Sequence, residues 1–182
     1  MSVSPENILN FWVAEIGPDR WFKADPALDA MTREQFLGIH EQAARGGLKE
    51  WEETPEGVLC LMLLLDQFPR MMFRGTVRAY ATDEQALELA RTAIIRHFDD
   101  RIDKSYKLLF YLPFAHAENA GDQRLASFYI RERTKEQAWI DISEKSLRTI
   151  RRFGRFPDRN EVLGRESTPE ETEFLKAGGD GA

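Results

Sequence analysis

Disulfide chemistry is the first thing this sequence lacks. Its single cysteine, Cys60, sits inside the apolar run VLCLMLLL. One thiol rules out an intramolecular disulfide framework and fits a reducing compartment. Among leucines and methionines Cys60 reads as a small core hydrophobe, and no basic partner stands near it in sequence. Long apolar runs are also missing. The longest, Val58–Leu65, falls far short of the ~20 residues that cross a bilayer. The opening MSVSPENILNFW has neither a basic n-region nor a cleavage-like site, which argues against a signal peptide and for the cytoplasm. Excess positive charge is absent too: the net charge is −6 and the pI near 5.2. That balance argues against general binding to nucleic acid or to an anionic membrane.

Chemical signatures are missing as well. There is no HExxH, no CxxC and no calcium-binding loop, and the three histidines show no metal-ligand spacing; no metal and no cofactor is expected. Neither GxxxxGK[ST], GxGxxG nor GxSxG occurs, so nucleotide loops and a serine nucleophile elbow have no support. Strand signals are weak: only five valines occur, and no stretch alternates cleanly over strand length.

What is present is helical. Apolar residues make up 42% of 182, with 12 Phe and 4 Trp, enough for a core. Ser4-Pro5-Glu6 places an N-cap before a first-position proline, opening a helix to about Ile16. Asp25-Pro26 repeats the device, and Gly46-Gly47 stops the helix that follows. Thr54-Pro55 starts a third helix, apolar all round near its centre, which Pro69 is expected to stop. Thr82 to Gln85 reads as a capping box. Residues 104–117 form an aromatic-rich buried helix that Pro113 is expected to kink or end. Further helices start near Asp122, run from about Lys135 to Phe153 and open at Thr168-Pro169, with a break near Thr134 left open. The expectation is an all-α fold of about eight helices, one domain over residues 1–177 and a flexible tail at 178–182. Phe11, Trp12, Trp21 and Phe22 are assigned to the core.

Polar signals concentrate in three segments. In LLLDQFPRMMFRG the apolar run ends on Asp66 and Gln67, and Arg70, Arg74 and Arg78 follow with no acid between them. In LPFAHAENAGDQ, His116 and Glu118 lie just past a buried helix, and Asp122 and Gln123 open the next. In residues 147–165 six arginines face two acids. The two arginine segments carry +3 and +4, which leaves −13 on the rest of the chain. Arginine grips carboxylate or phosphate in two-pronged fashion, so the pattern suggests an anion site. Internal pairing with Asp66, Glu118 and Asp122 is the main role the same residues suggest, and a pocket can coexist with it. His116 beside Glu118 or Asp122 is a candidate acid–base group or a hydrogen-bonded structural histidine. His97 is placed at a helix C-terminus, and His40 on an exposed helix face.

Taken together, FW at 11–12, WF at 21–22, LLLDQFPR at 63–70, FRGT at 73–76, ATD at 81–83, LPFAHAE at 112–118, DQ at 122–123, RFGRFPDRN at 152–160 and LGRESTPEE at 163–171 resemble the bacterial family called domain of unknown function 924. The resemblance implies a tetratricopeptide-like right-handed stack of helix pairs and no established activity. Its signature positions here are Asp66, Gln67, Arg70, Arg74, His116, Glu118, Asp122, Gln123, Arg155 and Asn160. Met71 stands where the family usually shows Asn, and Asp158 where it often shows His. Three functions follow as expectations. One is a scaffold binding an anionic small molecule or acidic peptide. Another is a metal-independent enzyme using His116 with Glu118 or Asp122. The third is a protein–protein interaction scaffold.

Overall fold

The computed structural model describes residues 3–179, and every regular element among them is helical. The expected tail at 178–182 lies mostly outside the described residues. In order, the α-helices are α1 (Pro5–Asn10), α2 (Pro26–Ala44), α3 (Pro55–Met62), α4 (Phe68–Met72), α5 (Asp83–Ile95), α6 (Lys107–His116), α7 (Ala120–Tyr129), α8 (Gln137–Phe153) and α9 (Pro169–Lys176). Contacts gather them into two compact units, one up to Ile102 and one from Asp103 onward. No described helix is long and apolar enough to cross a membrane.

Cap chemistry sets most of the starts. Ser4, Asp25, Thr54 and Thr168 each accept a hydrogen bond from the first turn they precede, and a proline follows each. Proline fits there because the first N–H groups of a helix have no internal partner. Thr82 departs from the expected capping box. It makes no side-chain cap, and its hydroxyl instead donates to the Leu65 carbonyl oxygen at 2.5 Å.

Three stretches are π-helical: Phe11–Ile16, Leu63–Gln67 and Ile130–Thr134. Each prolongs an α-helix. The second corrects the expected stop at Pro69, because the helix widens over LLLDQ and resumes as α4 with Pro69 in its first turn. A wider turn gives the pyrrolidine ring room that a regular α-turn denies it. Pro113 likewise sits inside α6, which continues to His116. The break left open near Thr134 is real: Lys135 takes the left-handed conformation with φ 60° before α8 begins.

The core of the first unit is aromatic. Phe11, Phe36 and Phe68 meet with ring centroids 4.8 to 6.0 Å apart, and Trp12 stacks on Trp21 at 5.2 Å. Phe22 is 46% exposed and does not belong to that core. Every residue from Val58 to Leu65 is buried. Cys60 is among them, its thiol donating to the Pro5 carbonyl oxygen at 3.3 Å. Burial, helped by nearby Glu56, pushes that thiol up to about 12, which suppresses thiolate chemistry near neutral pH. In the second unit Leu109, Phe110, Tyr111 and Phe114 are buried on α6, Ala126 on α7, and Leu147 and Ile150 on α8. Tyr111 stacks on Tyr129 at 5.5 Å.

Candidate functional site

The π-helical turn positions the first signature pair. Asp66 and Gln67 are both buried, and the Gln67 amide donates to Asp66 Oδ2. Asp66 Oδ1 lies 3.0 Å from Arg70 Nη1, one turn further along. Arg70 also donates to the Asp66 carbonyl oxygen at 2.7 Å and forms a two-pronged pair with Asp83, both bonds at 2.9 Å. Its guanidinium lies 5.5 Å from the Tyr80 ring centroid. One cation thus neutralises two carboxylates, a buried one on the π-turn and a partly exposed one opening α5.

The other two arginines of this segment go elsewhere. Gly75 takes φ 74°, a conformation available to glycine at no steric cost, and the chain turns there out of helical geometry. Arg74 clamps Asp29 with bonds of 2.7 and 2.9 Å. Arg78 reaches Glu41 at 2.9 Å and lies over the Phe73 ring at 4.0 Å. Asp29 and Glu41 both belong to α2, so this loop is pinned along one helix. Met71 is buried beside Thr32, where it packs as an apolar residue.

In the second unit the arginines are held in the same manner. Glu118 accepts from Arg165 at 2.5 and 2.9 Å and from the Phe156 N–H at 2.8 Å. Burial works to raise its carboxyl, but those hydrogen bonds outweigh it and hold Glu118 below the usual carboxylate range. Arg155 clamps Glu171 at 2.7 and 2.8 Å and donates to the Glu166 carbonyl oxygen at 2.8 Å. Glu171 also receives the Thr168 N–H and the Asn160 amide. Led by the Arg155 bond, these interactions bring its carboxyl down to about 2. Asn160 returns the contact through Oδ1, which accepts from Arg165 at 3.0 Å. Glu118, Arg165, Asn160, Glu171 and Arg155 therefore form one continuous network that closes the loop between α8 and α9.

His116 ends α6, and its carbonyl oxygen accepts from Arg159 at 2.9 Å. Asp122 is buried in the first turn of α7, where Asn119 is the cap. Gln123 is fully buried; its amide nitrogen donates to the Ala115 and Ala117 carbonyl oxygens at 2.6 and 2.8 Å, bridging α6 and α7. Asp158 is exposed. Among the described residues no group of three or more His, Cys, Asp or Glu is arranged to hold a metal ion.

The expected site residues thus form one set per unit: Asp66, Gln67, Arg70 and Arg74 in the first, and His116, Glu118, Asp122, Gln123, Arg155 and Asn160 in the second. The carboxylate partners Asp29, Asp83 and Glu171 were not singled out by the sequence pattern, because 13 to 45 residues separate them from their arginines. His40 also moves. It is buried rather than exposed, with Nδ1 2.8 Å from the Leu64 carbonyl oxygen. A carbonyl only accepts, so Nδ1 carries the proton. Burial is the main reason its pKa is lowered, and the charge of Arg78 adds to it.

The first unit also holds a cleft of about 310 Å³ that sequence reasoning missed. Its floor is Leu48, Leu61, Leu65 and Leu89, and its lips carry Lys49, Glu52, Gln85, Glu88 and Thr92. Gln85, Glu88, Leu89 and Thr92 follow the i, i+3, i+4, i+7 spacing of one helix face. That spacing could have marked them as a face, though not as a cleft.

Comparison with known proteins adds the family and no activity. The profile of a family described as bacterial protein of unknown function, DUF924, matches residues 8–179. A solved protein of unknown function from Agrobacterium tumefaciens is 42% identical to this chain, with a TM-score of 0.90 over 95% of this chain and 97% of its own. No curated protein matches.

Proposed function

The chain belongs to the DUF924 family of bacterial proteins, and on that premise we propose that it is a binding module for a small ligand bearing an anionic group. The tetratricopeptide-like pairing of helices is part of this reading. The observation that carries it is the cleft of the first unit, about 310 Å³ with a leucine floor and a polar lip. That size sits at the lower end of small-molecule sites, which are mostly apolar with a few polar groups to orient the ligand.

An anionic ligand was expected at Arg70, Arg74 and Arg155. Each of these is already clamped by a protein carboxylate. An anion would have to displace that carboxylate and leave it unpaired, which is costly where the acid is buried. Lys49 on the cleft lip is different: its side chain makes no hydrogen bond or ion pair with the described residues. The arginines then serve the site by fixing the loops around the helices, and Lys49 receives the anionic group. Acid–base turnover by His116 with Glu118 has less support, because both Glu118 oxygens are taken by Arg165 and the Phe156 N–H.

The test is a calorimetric titration with 4-methylpentanoate, an apolar carboxylate, alongside inorganic phosphate. The carboxylate should bind wild type, and Thr92→Trp, which fills the cleft from an exposed helix position, should abolish binding. Phosphate binding that Thr92→Trp leaves intact would count against the cleft and restore the arginines.

A further inference from the structure

The cleft has more definition than an apolar groove. Two side-chain ties link α5 to the segments across from it. The Gln85 amide donates to the Ala44 carbonyl oxygen at 2.9 Å, joining the start of α5 to the end of α2. Arg96, just past α5, donates to the Glu52 carbonyl oxygen at 2.7 Å and pairs with Glu53 at 3.2 Å. At 1.5 Å rise per residue the two ties stand about 16 Å apart along the helix axis. A cleft of about 310 Å³ suits a compact molecule.

Its charges are also arranged by position. Lys49 and Glu52 are three residues apart in the 3₁₀ turn Lys49–Glu53, and side chains at that spacing eclipse one another in such a turn. Both line the cleft, and no ion pair joins their side chains to each other or to another described residue. Glu88 stands on the α5 lip, its nearest cation Arg91 at 3.9 Å. A simple anion would meet Lys49 and be repelled by Glu52 and Glu88. A simple cation would meet the two acids and be repelled by Lys49. A molecule with both charges and an apolar body satisfies all three groups and the leucine floor together.

We infer that the cleft takes a zwitterion with an apolar body, an apolar α-amino acid or short apolar peptide. Its carboxylate lies toward Lys49, its ammonium toward Glu52 and Glu88, and its side chain on Leu61, Leu65 and Leu89. This rests on the binding-module reading and adds the ammonium to it.

The experiment compares three probes on the full chain: L-leucine, 4-methylpentanoate, which lacks the amine, and 3-methylbutylamine, which lacks the carboxylate. Leucine methyl NMR shifts at Leu61, Leu65 and Leu89 report the slot itself. Single exposed ion pairs are worth up to about 1 kcal/mol, so leucine should bind roughly two- to five-fold more tightly than either analogue. Glu52→Gln combined with Glu88→Gln should erase its advantage over 4-methylpentanoate, and Lys49→Gln its advantage over the amine. If either analogue binds as tightly as leucine, the zwitterion assignment is overturned while the binding site stands. If no probe shifts the slot methyls, or Thr92→Trp leaves those shifts unchanged, both readings are overturned.

Discussion

His40 Nδ1 lies 2.8 Å from the Leu64 carbonyl oxygen, five residues before Pro69. The π-turn runs on bonds from each N–H to the carbonyl five residues back, as from Phe68 to Leu63. The next donor in that series is Pro69, which has no N–H. Leu64, five residues before Pro69, and Leu65, four before it, therefore both lose that donor. His40 covers the first and the Thr82 hydroxyl the second, at 2.5 Å. Removing either donor leaves a buried carbonyl without that bond, at a cost of about 1–3 kcal/mol. His40→Phe and Thr82→Val should each show that loss in urea denaturation with an unchanged m-value. A loss under about 0.5 kcal/mol for both would mean the freed carbonyls find other donors.

The same histidine makes stability depend on pH. Burial lowers the folded-state pKa of His40 below its ordinary 6.5. At pH values between the lowered value and 6.5 the unfolded chain binds more protons than the folded one. The contribution is therefore fully present above about 6.5 and is lost as pH falls below it. Denaturation midpoints of wild type should drop between neutral pH and pH 5 by more than those of His40→Phe. Parallel pH curves for the two proteins would refute the assignment.

Arg70 is the cation for Asp66, which is 1% exposed. Arg70→Met strips that carboxylate of its paired charge, and breaking a buried pair this way costs about 3–5 kcal/mol. Asp83→Asn leaves the Asp66–Arg70 pair in place and should cost less than Arg70→Met. Thermal melts of the two variants check the order, and a larger loss in Asp83→Asn would contradict it.

Glu171 ties the loop between α8 and α9. Its folded-state carboxyl is held at about 2 against an ordinary 4.5. A lowered carboxyl contributes stability above the unfolded value and loses it as pH falls from about 4.5 toward 2. Glu171→Gln should remove that acid-range dependence and speed hydrogen exchange in residues 166–171 at neutral pH. Exchange there equal to wild type would mean the loop is held by other contacts.

Gly57 lies where the chain folds back on itself. A Cβ there would sit 2.2 Å from the Trp51 carbonyl oxygen and 2.9 Å from Thr54 Oγ1. Backbone cannot yield as a flexible side chain does, so Gly57→Ala should cost about 1–3 kcal/mol despite the better helix propensity of alanine. A neutral or stabilised variant in the same denaturation assay would show that the turn from Lys49 to Glu53 has room to move.

The sequence by itself determined the helices and their punctuation. Cap and proline lie next to each other in the chain, so Ser4-Pro5, Asp25-Pro26, Thr54-Pro55 and Thr168-Pro169 were legible as starts. The apolar run from Val58 to Leu65 was legible as buried, because a helix apolar all round has no face to give to water. The signature residues were legible as unusual, through arginines gathered in an acidic chain and a carboxylate ending an apolar run. Only the tertiary structure decided what those residues do. Arg70 met Asp83, Arg74 met Asp29, Arg155 met Glu171 and Arg165 met Glu118 across separations that no local pattern encodes. His40 and Thr82, read as an exposed histidine and a helix cap, became donors to carbonyls freed by a proline 29 residues after the one and 13 before the other. The cleft is of the same kind. Its walls come from α2, the turn at Lys49, α3 and α5, and a concavity exists only once separate helices are packed.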